Sequence, residues 1–142
     1  MPIRTAKATD EAAVVRLWSS CELVVSYNDP GLDFMNAVSS SCSDVLVYES
    51  EDDEISGAVM VGYDGHRGWL YYVAIAPHIR GNGIGRKMVE AAEHWLRARD
   101  VSKAQLLVRD TNPNAVSFYE HLGFESAPRV VMGKWLNKLN PS

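Results

Sequence analysis

Cysteine is scarce in this chain: only Cys21 and Cys42 occur among 142 residues, and they lack the paired spacing of a metal site. His78, His94 and His121 add no metal pattern and read as surface residues, so no metal is expected. No stretch approaches the roughly 20 apolar residues of a membrane span, and no basic segment followed by an apolar run opens the chain. A reduced, cytoplasmic protein is the simplest expectation. Basic charge is not in excess: 14 Lys and Arg face 18 Asp and Glu, a net charge of −4, which argues against a nucleic-acid partner. Linkers, internal repeats and low-complexity tracts are also missing. Residues 1–142 therefore read as a single domain, long enough to bury about two-thirds of its unfolded surface.

What the chain does contain is concentrated at Val73 to Arg86, VAIAPHIRGNGIGR. This reads as a β-strand stopped by Pro77, then a glycine-rich turn into an amphipathic helix. The amides of Arg80, Gly81, Asn82, Gly83, Ile84 and Gly85 lack intrahelical partners there, and they converge where the helix dipole is positive. Phosphate is the natural ligand of such a site. Glycine at 81, 83 and 85 lets a bulky anion come close, while Arg80, Arg86 and Lys87 supply charge. A P-loop would need Lys and then Ser or Thr after its last glycine, whereas Gly85 is followed by Arg86, Lys87 and Met88. A dinucleotide fingerprint is a weak match, because the third glycine comes one position early and no acidic residue lies about 20 residues on within a βαβ unit.

The remaining pattern, Arg80-x-x-Gly83-x-Gly85, closely resembles the acetyl-CoA signature of the GNAT acetyltransferases. A second segment, NPNAVSFYEHLGF at 112 to 124, is similar to the family's later motif through Asn112, Ala115, Phe118, Tyr119, Leu122, Gly123 and Phe124. The opening IRTAKATDEAAVVRLW looks like the family's first strand and helix. GYDGHRG followed by Tyr71 and Tyr72 also resembles a small bacterial subgroup of the YpeA type.

The order of elements is consistent with this. Ile3 to Thr5 reads as a strand, and Thr9 as the cap of a helix whose inner face carries Val14, Leu17, Trp18 and Cys21. Asp29-Pro30 signals a second helix over about 31 to 40. Runs at 45–49, 55–63 and 69–76 predict an antiparallel meander. Ile84, Met88, Ala91, Ala92, Trp95 and Leu96 line one face of a helix ending near Asp100. A strand over Ala104 to Val108, a short helix over Asn114 to Leu122 closed by Gly123, and a last strand over Val130 to Trp135 complete the reading. The expected class is α/β, or α+β, with a mixed sheet. The resemblance implies the GNAT acyl-CoA N-acyltransferase fold: a twisted, mostly antiparallel sheet with helices on both faces. It also implies central strands that splay apart around the pantetheine arm.

By the same resemblance, acetyl-CoA is the cosubstrate and an amine the acceptor. The strand before the turn would pair its backbone with the coenzyme amides through Val73, Ala74 and Ile75, with Ile75 as the oxyanion contact. Asn112 matches the residue that contacts the coenzyme arm, and Tyr119 the acid that protonates the leaving thiolate. A phenol with pKa about 10 is protonated at neutral pH and can donate to a thiol of pKa about 8.5. The base is less specified. A lysine acceptor is only about 0.04% neutral at pH 7, a shortfall near 4.6 kcal/mol, whereas an α-amine loses only about 1 kcal/mol. Some peptide-acetylating relatives carry a glutamate where Leu107 stands here, which leaves Asp64, His66 and Asp110 as candidates. For Asp64 and His66 a plain hairpin role competes, and for Tyr119 and Asn112 a core aromatic and a turn residue.

The acceptor would sit near Tyr27, Asn28 and Asp29, although Asp29 also reads as a helix cap. Cys21 and Cys42 lie outside both motifs, which argues against an acetyl-cysteine intermediate and for direct transfer. Two alternatives stand beside the enzyme: a non-catalytic acyl-CoA-binding module, and a plain phosphate- or nucleotide-binding domain. Family habit points to a homodimer through the strand expected at Val130 to Trp135.

Overall fold

Three successive apolar runs build the centre of the molecule, because successive side chains of a strand point to opposite faces and an unbroken run such as Val45 to Val47 or Ala58 to Val59 is buried on both faces of a sheet. In the computed structural model, which describes residues 2–137, these runs are β2 (Ser43–Glu49), β3 (Ile55–Tyr63) and β4 (Gly68–Ile75). They form the antiparallel meander expected from their turns. β1 (Ile3–Thr5) joins antiparallel to β2, and β5 (Ala104–Leu106) pairs parallel with Gly68, Trp69 and Leu70 of β4. The order is β1-β2-β3-β4-β5, a mixed and mostly antiparallel sheet. The chain divides into two compact units, Met1–Leu106 and Leu107–Ser142, and the sheet belongs to the first.

Helices cover both faces of that sheet. On one, Val14, Leu17 and Trp18 of α1 (Glu11–Ser20) and Phe34 and Ala37 of α2 (Pro30–Ser39) pack with Val45, Val47, Ala58 and Ala74. On the other lies α3 (Ile84–Arg97), which buries Ile84, Met88, Val89, Ala92, Trp95 and Leu96. Gly68 lets it come close: a Cβ there would stand 2.6 Å from the Leu96 methyls. Each large side chain fully withdrawn from water contributes about 1.5–3 kcal/mol.

The alternation in β4 does not run through. Tyr71 pairs with Met60 and Ala74 with Ala58, so Tyr72 and Val73 together oppose Val59, and Tyr72 takes φ +54°. This bulge reverses the facing of the strand. Gly68 and Leu70 precede it with even numbers on the α3 side, whereas Ala74 and Ala76 follow it with even numbers on the α1–α2 side.

Asp29 caps α2 by accepting from the Leu32 amide at 3.0 Å, with Pro30 opening the helix as its sequence predicts. At α1 the expectation fails. Thr9 lies inside a 3-10 turn (Ala8–Asp10), and Asp10, not Thr9, accepts from the Lys7 amide at 2.7 Å. The reason is Arg4, whose guanidinium holds Asp10 at 2.8 Å and Glu49 at 3.2 Å and fixes the Asp10 carboxylate over the turn. Hydrogen bonds from Arg4 hold both carboxyls below the usual range.

The second unit contains α4 (Pro113–His121). Asn112 caps it, accepting from the Ala115 amide at 3.2 Å. The helix closes as a Schellman motif: Gly123, at φ +97°, donates to Glu120 and Phe124 to Tyr119, each at 3.0 Å. The last strand expected at Val130 to Trp135 is absent among the described residues, and Val130, Val131, Met132 and Trp135 are exposed. A strand exists only by pairing, and the described part of this unit holds no other strand.

Candidate active site

β4 ends with a free edge. The Ala76 amide donates to Ser56 of β3 at 2.8 Å, and Gly57 lies opposite Ile75. In an antiparallel ladder this makes Ser56 and Ala76 a hydrogen-bonded pair and Gly57 and Ile75 a non-bonded one. Ile75 therefore directs its N–H and C=O away from β3, while Ala74 turns back toward Ala58. β5 pairs no further along β4 than Leu70, so among the described residues no strand faces β4 on that side from Tyr71 to Ile75. The Ile75 carbonyl accepts from Arg80 Nε at 3.0 Å and from the Cys21 thiol at 3.3 Å, and Arg80 Nη2 reaches the Cys21 sulfur at 3.4 Å. Its N–H has no acceptor among the described residues.

The chain then turns through a 3-10 segment (Pro77–Ile79) into α3. Asn82 tightens the turn by donating its side-chain amide to the Ile79 carbonyl at 3.1 Å. Gly81 and Gly83 take φ of +89° and +78°, which a side chain would strain. A Cβ on either would meet no atom within 4 Å, so the turn is open on that side. The Arg80 amide, expected to be free, donates to the Pro77 carbonyl at 3.4 Å, and the next to find a partner is that of Lys87, which donates to Gly83 at 3.2 Å; those of Gly81, Asn82, Gly83, Ile84, Gly85 and Arg86 have none among the described residues. Six free donors gathered at a helix N-terminus make an anion cradle. Arg86 is held only loosely by Glu90, at 3.9 Å.

Beside the bulge, between α2 and the sheet, lies an open cavity of about 680 Å³. Its wall includes Asn28, Asp33, Asn36, Met60, Tyr71 and Tyr72. Tyr72 stacks on Trp18 with ring centroids 4.1 Å apart and donates its hydroxyl to Asp33 Oδ2 at 2.8 Å. Burial, and then the Asp33 carboxylate, push the Tyr72 phenol far above its ordinary range, so it stays protonated and remains the donor.

The acetyltransferase (GNAT) family model matches residues 12–124. The chain belongs to this family. An acetyltransferase of Pectobacterium atrosepticum is 37% identical over 136 residues, covering 96% of each chain. Among solved structures, a mutant BH1408 protein from Bacillus halodurans is 25% identical with a TM-score of 0.78, over 96% of this chain and 100% of its own. A predicted acetyltransferase from Clostridium acetobutylicum, solved with acetyl-CoA, has a TM-score of 0.77 at 15% identity, over 93% of this chain and 94% of its own, a likeness of fold.

In this GNAT chain the residues expected to hold the coenzyme divide into groups. Val73, Ala74, Ile75, Arg80, Gly81, Asn82, Gly83, Ile84, Gly85 and Arg86 run together from the end of β4 into α3, although Ala74 points its backbone at β3. Asn112 and Tyr119 lie in the second unit. Asn112 fulfils its cap role, and Tyr119 meets Phe118 and Phe124 edge-on at 5.0 and 5.7 Å. Burial raises the Tyr119 phenol above its ordinary value.

Asp64 and His66 are not brought to the turn. They occupy the hairpin before Gly68, seven residue steps and about 23 Å of extended strand from Ile75. Asp64 accepts from the Arg67 and His66 amides at 2.8 Å and from the Trp69 indole at 3.1 Å, and these bonds, in that order, lower its pKa. That is the chemistry of a turn, since a carboxylate made less basic is a poorer proton acceptor. Asp110 lies in an exposed turn of the second unit.

Sequence reasoning missed Asp33, Tyr72 and Cys21 as neighbours of the site. Asp33 reads as an ordinary first-turn acid of α2, and only the bulge aims Tyr72 at it.

Proposed function

We propose that this chain is an acetyl-CoA-dependent N-acetyltransferase that moves the acetyl group directly from the thioester to a primary amine. The observation that carries the reading is the continuity of the free β4 edge with the six unpaired amides of the turn. An edge of this kind pairs with an extended amide-bearing arm as another strand would, and the turn accepts the pyrophosphate at its end. Arg80 and Arg86 complement the phosphate charge.

The coenzyme supplies an activated acyl group on sulfur. Ile75 supplies an outward N–H to the acyl oxygen where negative charge develops. As the amine nitrogen bonds to the acyl carbon the carbon–sulfur bond breaks, the amine gives up one proton, and the thiolate takes one. By its match to the family motif Tyr119 is the proton donor to sulfur, and Asn112 a contact of the coenzyme arm. Given the place of Asp64 and His66 in the hairpin, the amine proton leaves to water or to a group nearer β4. Free thiols at Cys21 and Cys42 support a reducing, cytoplasmic setting. The Tyr71-Tyr72 pair supports a place in the YpeA-like subgroup, and the family match across both units supports a single domain over 1–142.

Calorimetric titration with acetyl-CoA, CoA and ADP tests the reading. Micromolar binding of acetyl-CoA, clearly tighter than ADP, is expected; equal affinities would point to a plain nucleotide site, and no binding would end the reading. Binding without turnover of any amine would favour the non-catalytic module.

A further inference from the structure

The acceptor pocket has a charge signature. Within the first unit, the cavity beside the β4 bulge is walled by one carboxylate (Asp33), two carboxamides (Asn28, Asn36), four hydroxyl-bearing side chains (Ser40, Ser43, Tyr71, Tyr72) and an apolar floor of Leu23, Ala37 and Met60. Among the described residues, lysine, arginine and histidine are absent from that wall. Asp29 is a second negative charge within electrostatic reach of Tyr72. We infer that this cavity is the acceptor site and that it selects a small hydroxylated diamine bearing no phosphate or carboxylate, with Asp33 holding one nitrogen as the ammonium while the second, neutral nitrogen attacks the thioester. This rests on the reading that the chain is an acetyltransferase.

Position favours the assignment. Tyr72 is three residues before Ile75 on the same strand, about 10 Å, so a ligand of a few bonds' length anchored on Asp33 through one ammonium extends its second amine toward the outward N–H of Ile75. Asp33 is half-buried, and its one side-chain partner among the described residues is the Tyr72 hydroxyl, which engages Oδ2. Oδ1 is left to accept from a ligand. The Tyr72 ring is itself fixed by stacking on Trp18, so the carboxylate is oriented before a ligand arrives.

The rest of the wall specifies the remainder of the ligand. The Asn28 and Asn36 carboxamides make no side-chain hydrogen bond among the described residues, and each offers two donors and an acceptor, a match to hydroxyl groups. Ser43 donates to the Ala37 carbonyl at 2.9 Å and Ser40 accepts from the Cys42 amide at 3.0 Å, so each retains part of its capacity. A phosphate or carboxylate on the ligand would meet Asp33 with no cation in the wall to offset it.

Paired substrates isolate the charge rule. Thiol release would be followed with acetyl-CoA and 1,3-diamino-2-propanol, its phosphate ester, 1,4-diamino-2-butanol or its phosphate ester, alongside calorimetry with acetyl-CoA alone. The expected result is a kcat/KM at least about 10-fold higher for the unphosphorylated member of each pair, because like charges at contact distance repel strongly. Asp33→Asn should raise the KM for the preferred amine about 10- to 150-fold, the worth of a charge-assisted hydrogen bond, and leave the KM for acetyl-CoA unmoved. A thermal melt of the variant separates this from misfolding, and Tyr72→Phe should raise the same KM by a smaller factor.

Preference for the phosphorylated members, an unchanged amine KM in folded Asp33→Asn, or turnover of none of the four amines by an acetyl-CoA-binding protein would each overturn the inference. Failure to bind acetyl-CoA would instead sink the acetyltransferase reading on which it rests.

Discussion

Replacing Gly83 by alanine separates backbone strain from coenzyme recognition. Gly83 sits at φ +78°, ψ 7°, at the entrance to α3, and nothing in the protein lies within 4 Å of a Cβ placed there. The added methyl meets no clash, so the folded protein bears only the left-handed conformation, at about 1–2 kcal/mol. With an unfolding entropy of about 2.1 cal/mol/K per residue, that lowers Tm by about 3–7 °C for a chain of this length. Gly123 is a matched control, also at positive φ (+97°) with open space around its Cβ, but at the C-terminus of α4. Gly123→Ala should cost a similar Tm.

The two should differ in coenzyme binding. In Gly83→Ala the methyl projects beside the free amides of the cradle and holds a phosphate oxygen away from them. Losing one charge-assisted hydrogen bond, about 1.5–3 kcal/mol, weakens acetyl-CoA about 10- to 150-fold. Differential scanning calorimetry and titration calorimetry on the same samples read both quantities. If Gly83→Ala melts lower yet binds acetyl-CoA as wild type, the cradle is not the phosphate site. If Gly123→Ala weakens binding equally, the effect is general loosening and the argument from the turn fails.

Tyr119→Phe should lower kcat by about 10²- to 10⁴-fold with acetyl-CoA affinity kept, and an undiminished kcat would remove the tyrosine from the chemistry. Because burial raises its phenol, wild-type kcat should show no loss from this group below about pH 10, which a pH–rate profile checks. Asp64→Asn should lower Tm by loosening the β3–β4 hairpin while turnover stays unchanged; a collapse of kcat in the folded variant would restore Asp64 as a base. Arg4 holds Asp10 and Glu49 below their ordinary range, so their stabilisation is present above about pH 4 and lost as pH falls through the lowered values. Arg4→Ala should therefore be less stable at neutral pH and lose less on acidification, and parallel acid profiles would count against the cluster. Phe34 is fully buried, and Phe34→Ala should cost about 3–5 kcal/mol by urea unfolding, a smaller loss meaning that α2 recloses over the gap.

Features set by neighbours in sequence were legible before the structure. Asp29-Pro30 announces the start of α2, Gly123 the end of α4, and the run at 55–63 is β3 residue for residue. The glycine turn belongs with these, since a helix start carries its own unpaired amides. Features set by distant partners were not. Asp10 displaces Thr9 because Arg4, itself anchored on Glu49, holds its carboxylate, and residues 130–135 have strand composition but no strand beside them among the described residues of their unit. The acceptor cavity was hardest to foresee: Asn28 was named, but Asp29 turned to capping, and the acid in the wall is Asp33. A tyrosine at positive φ is not a pattern that composition announces.

The supernumerary residue of β4 works as a reading-frame shift. Before it the strand is read in one frame, with one edge paired to β5; after it the strand is read in the other, with that edge left for a ligand. Two consecutive tyrosines, Tyr71 and Tyr72, thereby enter the same cavity wall, which an unbroken strand would forbid by sending them to opposite faces. A one-residue deletion at the bulge would merge the frames. Deleting Val73 would send the two rings to opposite faces while Ile75 kept its place opposite Gly57, so the cavity wall would be lost although both tyrosines and the outward N–H of Ile75 were still present.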